Sequence, residues 1–278
     1  MIADSLTVVQ HAKGSDSLAP LVLLHDGGGT IYSYHALGPL HRDVYGISNP
    51  KFESDLAWEG GIPEMALTYA DMIRENIPAG PVLLGGWSFG GLLALELSKI
   101  FEDDPDHSIV GLVLIDTPYP KDRHGGELSG LNFLPDIPGV RPRVRAKIHK
   151  ALQRARSMVA SWELPSWEDE GYVSGTSSAS SSSEDLLGST STPRRKLPPA
   201  VLLRAVDKVE AMDKLRPASS TPLVDIFRQH PSLGWSEYDN SFINVVWDIP
   251  GDHFSIFSAP YITQVTEKIL SACYYLGH

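Results

Sequence analysis

Residues 86–90 read Gly86-Trp87-Ser88-Phe89-Gly90, a serine with a glycine two positions to either side. A serine in this pattern is suited to nucleophilic acyl transfer. Glycines at those positions leave room for a turn tight enough to hold the hydroxyl between a strand and a helix. Both flanking elements are legible: an apolar run from Val82 to Gly85 precedes the turn, and a helix with Leu93, Leu97 and Ile100 on one face follows it. The start of that helix adds backbone N–H groups and a positive dipole end where negative charge develops. As plain structure the segment is a glycine-rich strand-to-helix connection, and the flanking pattern favours the nucleophile.

A serine hydroxyl needs a base. Ten histidines are available, and His253 in "WDIPGDHFSIF" is set apart because it follows the apolar strand Phe242 to Trp247 through a Pro-Gly turn, on a loop at the strand's end. The third member is an acid that orients the imidazole and stabilises its charged form. Asp116 ends the run "IVGLVLID", one strand from Ser88 at the same sheet edge, and the prolines of "TPYP" turn the chain out after it. Asp225 is read as lying within a strand, Asp239 well beyond it, and Asp252 as too close to His253, so Asp116 is preferred. An oxyanion needs two donors: the N–H of Phe89, next after the nucleophile, and one from the loop "HDGGGT", where Gly27 is the best placed and Asp26 the next. His25 is read as a structural brace for that loop. The loop satisfies no phosphate-binding glycine pattern, and no H-E-x-x-H or cysteine pair marks a metal site.

The elements that position these residues form an alternating pattern. Leu21 to Leu24, "DVYGISN", "PVLLGG" and "HSIVGLVLIDTPYP" read as buried strands, while "IPEMALTYADMIREN" puts Met65, Tyr69, Met72 and Ile73 on one helical face. Such alternation predicts an α/β architecture, a mainly parallel sheet with helices on both faces. Beyond Asp116 the rhythm changes. "RPRVRAKIHKALQRARSMVASWELPSW" is a basic helical stretch, residues 174–195 are serine-rich and expected to be disordered, and "PPAVLLRAVDKVEAMDKL" reads as a second helix. Strands are expected again in "TPLVDIFRQH" and "SFINVVWDIP", then a last helix from about Pro260 to Tyr275. Residues 1–278 are thus read as a single domain with an insertion over 121–219.

The composition excludes several classes. A net charge of −11 argues against nucleic acid as a partner. No apolar run is long enough to span a membrane, and the N-terminal residues lack a basic start followed by an apolar segment. One cysteine, Cys273, allows no internal disulfide, which fits a cytoplasmic location. Against this acidity the stretch Arg141, Arg143, Arg145, Lys147, Lys150, Arg154 and Arg156 stands out, either as a solvated helix face or as a docking site for an acidic partner.

With these residues placed, the chain resembles the thioesterase domains of polyketide and nonribosomal peptide synthases, the fungal type in particular. "LHDGGGT", "VYGISNPKF", "WEGGIPEMA", "GGWSFGGLLALE", "GLVLIDTPYP" and "IPGDHFSIF" carry the resemblance, in family order. More specific than the serine motif is the acid at Asp116, 28 residues after Ser88; most other α/β-hydrolases place it one strand later. The resemblance implies an α/β-hydrolase fold with residues 121–219 as a helical lid. It also implies a Ser88–His253–Asp116 triad and release of an acyl chain from the phosphopantetheine of an acyl or peptidyl carrier protein, with no cofactor of the enzyme's own. Arg141, Arg145 and Lys150 become candidates for carrier docking. No adenylation, carrier or ketosynthase segment precedes Met1, which implies a free-standing enzyme acting in trans or a domain cut from a synthase. The competing readings are a carboxylesterase or lactonase on free small esters and a non-catalytic binding protein of the same fold.

Overall fold

A strand with apolar side chains on both faces is stable only between two layers, and the short apolar runs of this chain meet that condition. The computed structural model describes residues 5–12, 18–54, 56–122, 139–167, 197–210 and 221–277. Its strands are β1 (Leu6–Gln10), β2 (Leu21–Leu24), β3 (Val44–Ile47), β4 (Gly80–Trp87), β5 (His107–Ile115), β6 (Ala200–Ala205) and β7 (Ile243–Ile249). They form one seven-stranded sheet in the order β1-β3-β2-β4-β5-β6-β7, parallel except where β1 pairs antiparallel with β3. The helices are α1 (Gly61–Asn76), α2 (Phe89–Ile100), α3 (Pro142–Ser161) and α4 (Ile262–Leu276).

Side-chain alternation splits each central strand between two cores. Val22, Leu24, Leu84, Leu112, Leu114 and Leu202 join α1 and α2 residues such as Met65, Tyr69, Leu93 and Leu97 on one face. Leu21, Leu23, Leu83, Val113, Ile115 and Leu203 pack with Val265, Ile269, Ala272 and Cys273 of α4 on the other. Cys273 is a buried thiol within that second core.

Two of the expected elements differ. Residues 200–205, read as part of a helix, are β6, paired with both β5 and β7. A short apolar run does not by itself distinguish a buried strand from a buried helix turn; here two parallel neighbours offer a ladder and both faces are covered. "TPLVDIFRQH", read as a strand, forms instead a 3-10 turn at Leu223–Asp225 and further turns after it. Its Asp225 and Arg228 are buried against each other, a pairing of the local turn and not of a ladder. The next-to-last strand is therefore β6, and the excursion expected over 121–219 is divided by it into one segment before β6 and another after. Within the first segment α3 matches the basic helix read from the sequence. The serine-rich residues 174–195 lie outside the described residues. The edge strand β1 was not singled out from the sequence.

Candidate active site

β4 delivers Ser88 to the carboxyl edge of the sheet, and the turn that follows is strained. Ser88 has φ 56° and ψ −117° at the N-cap of α2, a conformation that non-glycine residues rarely adopt. Its glycines are required by contact. A Cβ on Gly86 would lie 2.6 Å from the Gly90 backbone, and one on Gly90 would lie 2.4 Å from the Leu24 carbonyl oxygen. The Ser88 N–H donates to the Ile115 carbonyl at 2.9 Å, tying the turn to the end of β5.

The loop after β7 brings His253 over this turn. Its Nε2 lies 3.0 Å from Ser88 Oγ, and its Nδ1 lies 2.7 Å from Asp116 Oδ2. A carboxylate can only accept, so Nδ1 carries the hydrogen and Nε2 is left to accept the serine proton. The imidazole is 2% exposed and packs beside the rings of Trp87 and Phe254. Asp116, at φ 41°, is held twice by the near edge of β6: its N–H donates to the Leu203 carbonyl at 2.7 Å and its Oδ1 accepts the Ala205 N–H at 2.8 Å. Burial pushes this carboxyl upward, but hydrogen bonds from His253 and Arg228 outweigh it and hold Asp116 below the ordinary carboxylate value.

The loop after β2 forms the facing wall. Asp26 turns its own chain: Oδ1 accepts the Gly28 N–H at 2.8 Å and the carbonyl accepts the Gly29 N–H at 3.0 Å. The N–H groups of Gly27 and Phe89 make no hydrogen bond to a described residue, and the two backbones are adjacent, since a Cβ on Gly27 would lie 3.8 Å from Phe89 Cβ. His25 does brace the loop. Its Nδ1–H donates to the Asp26 carbonyl at 2.6 Å, and Nε2 accepts from the Tyr69 hydroxyl at 2.7 Å. Burial lowers the His25 pKa to about 4. Burial raises that of Asp26 to about 6 against the opposing pull of the loop N–H groups and of His253.

Helix α3 lies directly on this glycine loop. Cβ atoms on Gly27 and Gly28 would come within 3.0 Å of Leu152 and Ile148 of α3. A narrow slot beside the contact is lined by Gly27, Phe89, Phe52, Trp58, Lys150 and Arg154, among others. Arg141 caps α3 and is exposed, Arg145 is half-buried, and Lys150 is exposed at the slot. Lys147 of the same helix is ion-paired with Glu53.

The structure thus brings Ser88, His253, Asp116, Gly27 and Phe89 to one place, with Lys150 at its margin. Three contributors went unrecognised in the sequence. Tyr34 donates to the Leu24 carbonyl at 2.7 Å and accepts the Trp87 N–H at 2.9 Å, so one phenol joins the ends of β2 and β4. Arg228 and Asp225 stand behind Asp116. No local pattern marks any of the three, because each acts through a partner distant in sequence or through a turn that was misread.

A mostly parallel sheet with a serine on a tight strand-to-helix turn, followed in chain order by an acid and then a histidine at strand ends, is the arrangement of the α/β-hydrolases. Within that class the chain belongs to the thioesterase domain family, whose model matches residues 19–273. It is 36% identical over 260 residues to the probable thioesterase gloN of Glarea lozoyensis, covering 92% of this chain and 89% of that protein. It is 37% identical over 273 residues to thioesterase frbD of a Dothideomycetidae species, covering 95% and 92%. Among solved structures, the NocB thioesterase domain from the nocardicin cluster superposes with a TM-score of 0.61 at 22% identity, covering 96% of this chain and 98% of that one. YbtT, a type II thioesterase from the yersiniabactin pathway, gives 0.59 at 17% identity over 99% and 100%. These last two establish likeness of fold. Among the described residues, no helix is long and apolar enough to cross a membrane.

Proposed function

We propose that this thioesterase releases an acyl chain from a carrier-bound phosphopantetheine thioester through an acyl-serine intermediate on Ser88. The observation that carries the reading is the hydrogen-bonded line from Ser88 Oγ through His253 to Asp116, at 3.0 and 2.7 Å, on a strained turn at a helix start. His253 Nε2 takes the hydroxyl proton as Ser88 Oγ attacks the thioester carbonyl. The oxyanion is met by the N–H groups of Gly27 and Phe89. The C–S bond breaks, and the imidazolium returns its proton to the departing sulfur. In the second half a hydroxyl, amine or water attacks the acyl-serine. His253 takes that nucleophile's proton and gives it back to Ser88 Oγ as the ester bond breaks. The family and the relatives' own descriptions as thioesterases support the thioester substrate. The solved structures alike in fold include a four-domain nonribosomal peptide synthetase, of which this chain covers 20%, and this supports a carrier as the donor. Arg141, Arg145 and Lys150 on α3 are the proposed contact for its acidic surface.

The test is intact-mass analysis after incubation with acyl thioesters, carrier-bound and free, and with matched oxyesters. Wild-type protein should gain the mass of one acyl group and turn over thioesters in preference to oxyesters, while Ser88→Ala gains none. Equal labelling of the variant overturns the serine assignment, and a preference for oxyesters overturns the thioester one.

A further inference from the structure

We infer that the acid of this site is a three-group unit, in which Arg228 fixes and partly neutralises the Asp116 carboxylate and Asp225 balances Arg228. The inference rests on the reading of Asp116 as the triad acid and extends it to two positioning residues. Arg228 sits with its guanidinium flat against Asp116: Nη1 donates to Oδ1 at 2.5 Å and Nη2 to Oδ2 at 2.8 Å, a bidentate fork. Nε donates to Asp225 Oδ1 at 3.0 Å, and the remaining hydrogens reach the Ala205 carbonyl at 2.9 Å and the Val224 carbonyl at 3.2 Å. All five donors are used. Asp225 Oδ2 in turn accepts the Val209 N–H at 2.7 Å. The three side chains are 0–1% exposed.

Well-packed apolar residues often stabilise a core as well as a buried ion group does, so stability alone does not account for this one. It has two consequences at the imidazole. The fork fixes the carboxylate plane, and so the direction in which Oδ2 presents itself to His253 Nδ1. The guanidinium also draws on the same negative charge that steadies the imidazolium, and Asp225 restores part of it from further away. The other groups facing His253 are Ser88 at Nε2 and the Asp26 carboxyl, which interacts with it through space. Neither changes in the comparison below.

The signs follow from the order of distances. Replacing Asp225 by Asn leaves Arg228 unbalanced, so a proton on His253 is held less tightly. Removing both charges leaves Asp116 at full strength, and the proton is held more tightly. The experiment measures the pH profile of kcat/KM on a free acyl thioester for wild type, Asp225→Asn, the double variant Arg228→Gln with Asp225→Asn, and Asp116→Asn. The acidic limb should move to lower pH in Asp225→Asn and to higher pH in the double variant. kcat should fall about 10- to 100-fold, the range seen for outer-shell partners of metal ligands, with KM within about twofold. Superimposable limbs in folded variants, shown by thermal melts, overturn the inference. Asp225→Asn keeps the side chain's shape and an acceptor for the Val209 N–H, and it decides alone if the double variant does not fold. Asp116→Asn separates the two readings. If its kcat is unchanged, the triad reading fails; if it falls by about 10⁴-fold while the limbs coincide, only the three-group unit fails.

Discussion

At the scale of single residues, buried His25 and half-buried Asp26 are neighbours whose loss of water pushes their pKa values in opposite directions. The His25 pKa of about 4 lies below its ordinary value of 6.5, so the unfolded chain takes up this proton first as pH falls. Stability is whole above 6.5 and is lost progressively down to about 4, by about 3 kcal/mol when complete. Asp26, raised to about 6 from 3.8, has the opposite sign: the folded state holds its proton more tightly, so acidification from 6 towards 3.8 stabilises. The two contributions largely offset each other over this interval. Asp26→Asn removes only the second and should lose melting temperature more steeply than wild type between pH 6.5 and 4. Parallel Tm curves for the two proteins would show that the Asp26 carboxyl keeps its ordinary proton affinity in the folded loop.

At the scale of elements, α3 both covers the glycine loop and presents the basic residues. Its small and branched residues Ile148, Ala151, Leu152 and Ala155 meet the backbone of Gly27, Gly28 and Gly29, so the absence of side chains in "GGG" admits a helix as well as a substrate. Its basic residues flank this contact: Arg145 stands half-buried one turn before Ile148, and Lys150 is exposed at the slot. Replacing Arg141, Arg145 and Lys150 together by Glu should lower kcat/KM on a carrier-bound thioester about tenfold and flatten its salt dependence, with turnover of a free thioester unchanged. Equal rates on both substrates would remove α3 as the docking element. The same scale exposes what the sequence hid: Arg228 lies in a segment read as a strand, and Asp225 was set aside as an acid for that reason. The identity of neither residue changed; the turn put them behind Asp116.

At the scale of the whole molecule, the sheet order makes β6 a keystone. It lies between β5 and β7, supplies the Ala205 N–H and Leu203 carbonyl that hold Asp116, and contributes Leu202 to one core and Leu203 to the other. Leu202→Ala should therefore cost about 2–5 kcal/mol in denaturant unfolding, the range for a leucine buried in a packed core. A cost below about 1 kcal/mol would mean that this run is not a central strand. Substitutions in β6 should also reach activity, since Asp116 rests on its backbone.

Ser88, its glycine neighbours and His253 were legible because their signals are local: a tight turn needs Gly86 and Gly90, and a Pro-Gly turn sets His253 at a strand end, whatever the rest of the chain does. The α/β alternation was legible for the same reason, through short apolar runs and one-sided helices. Whether residues 200–205 formed a strand or a helix was not, since a short, mostly apolar run suits either until neighbours offer a ladder and two covered faces. Nor was the set of groups around Asp116, because Arg228, Asp225 and Tyr34 come from distant segments and their burial is decided by packing. The sequence by itself determined which residues can do the chemistry; the tertiary structure alone decided which charges surround them, since electrostatics depends on distance in space and not along the chain.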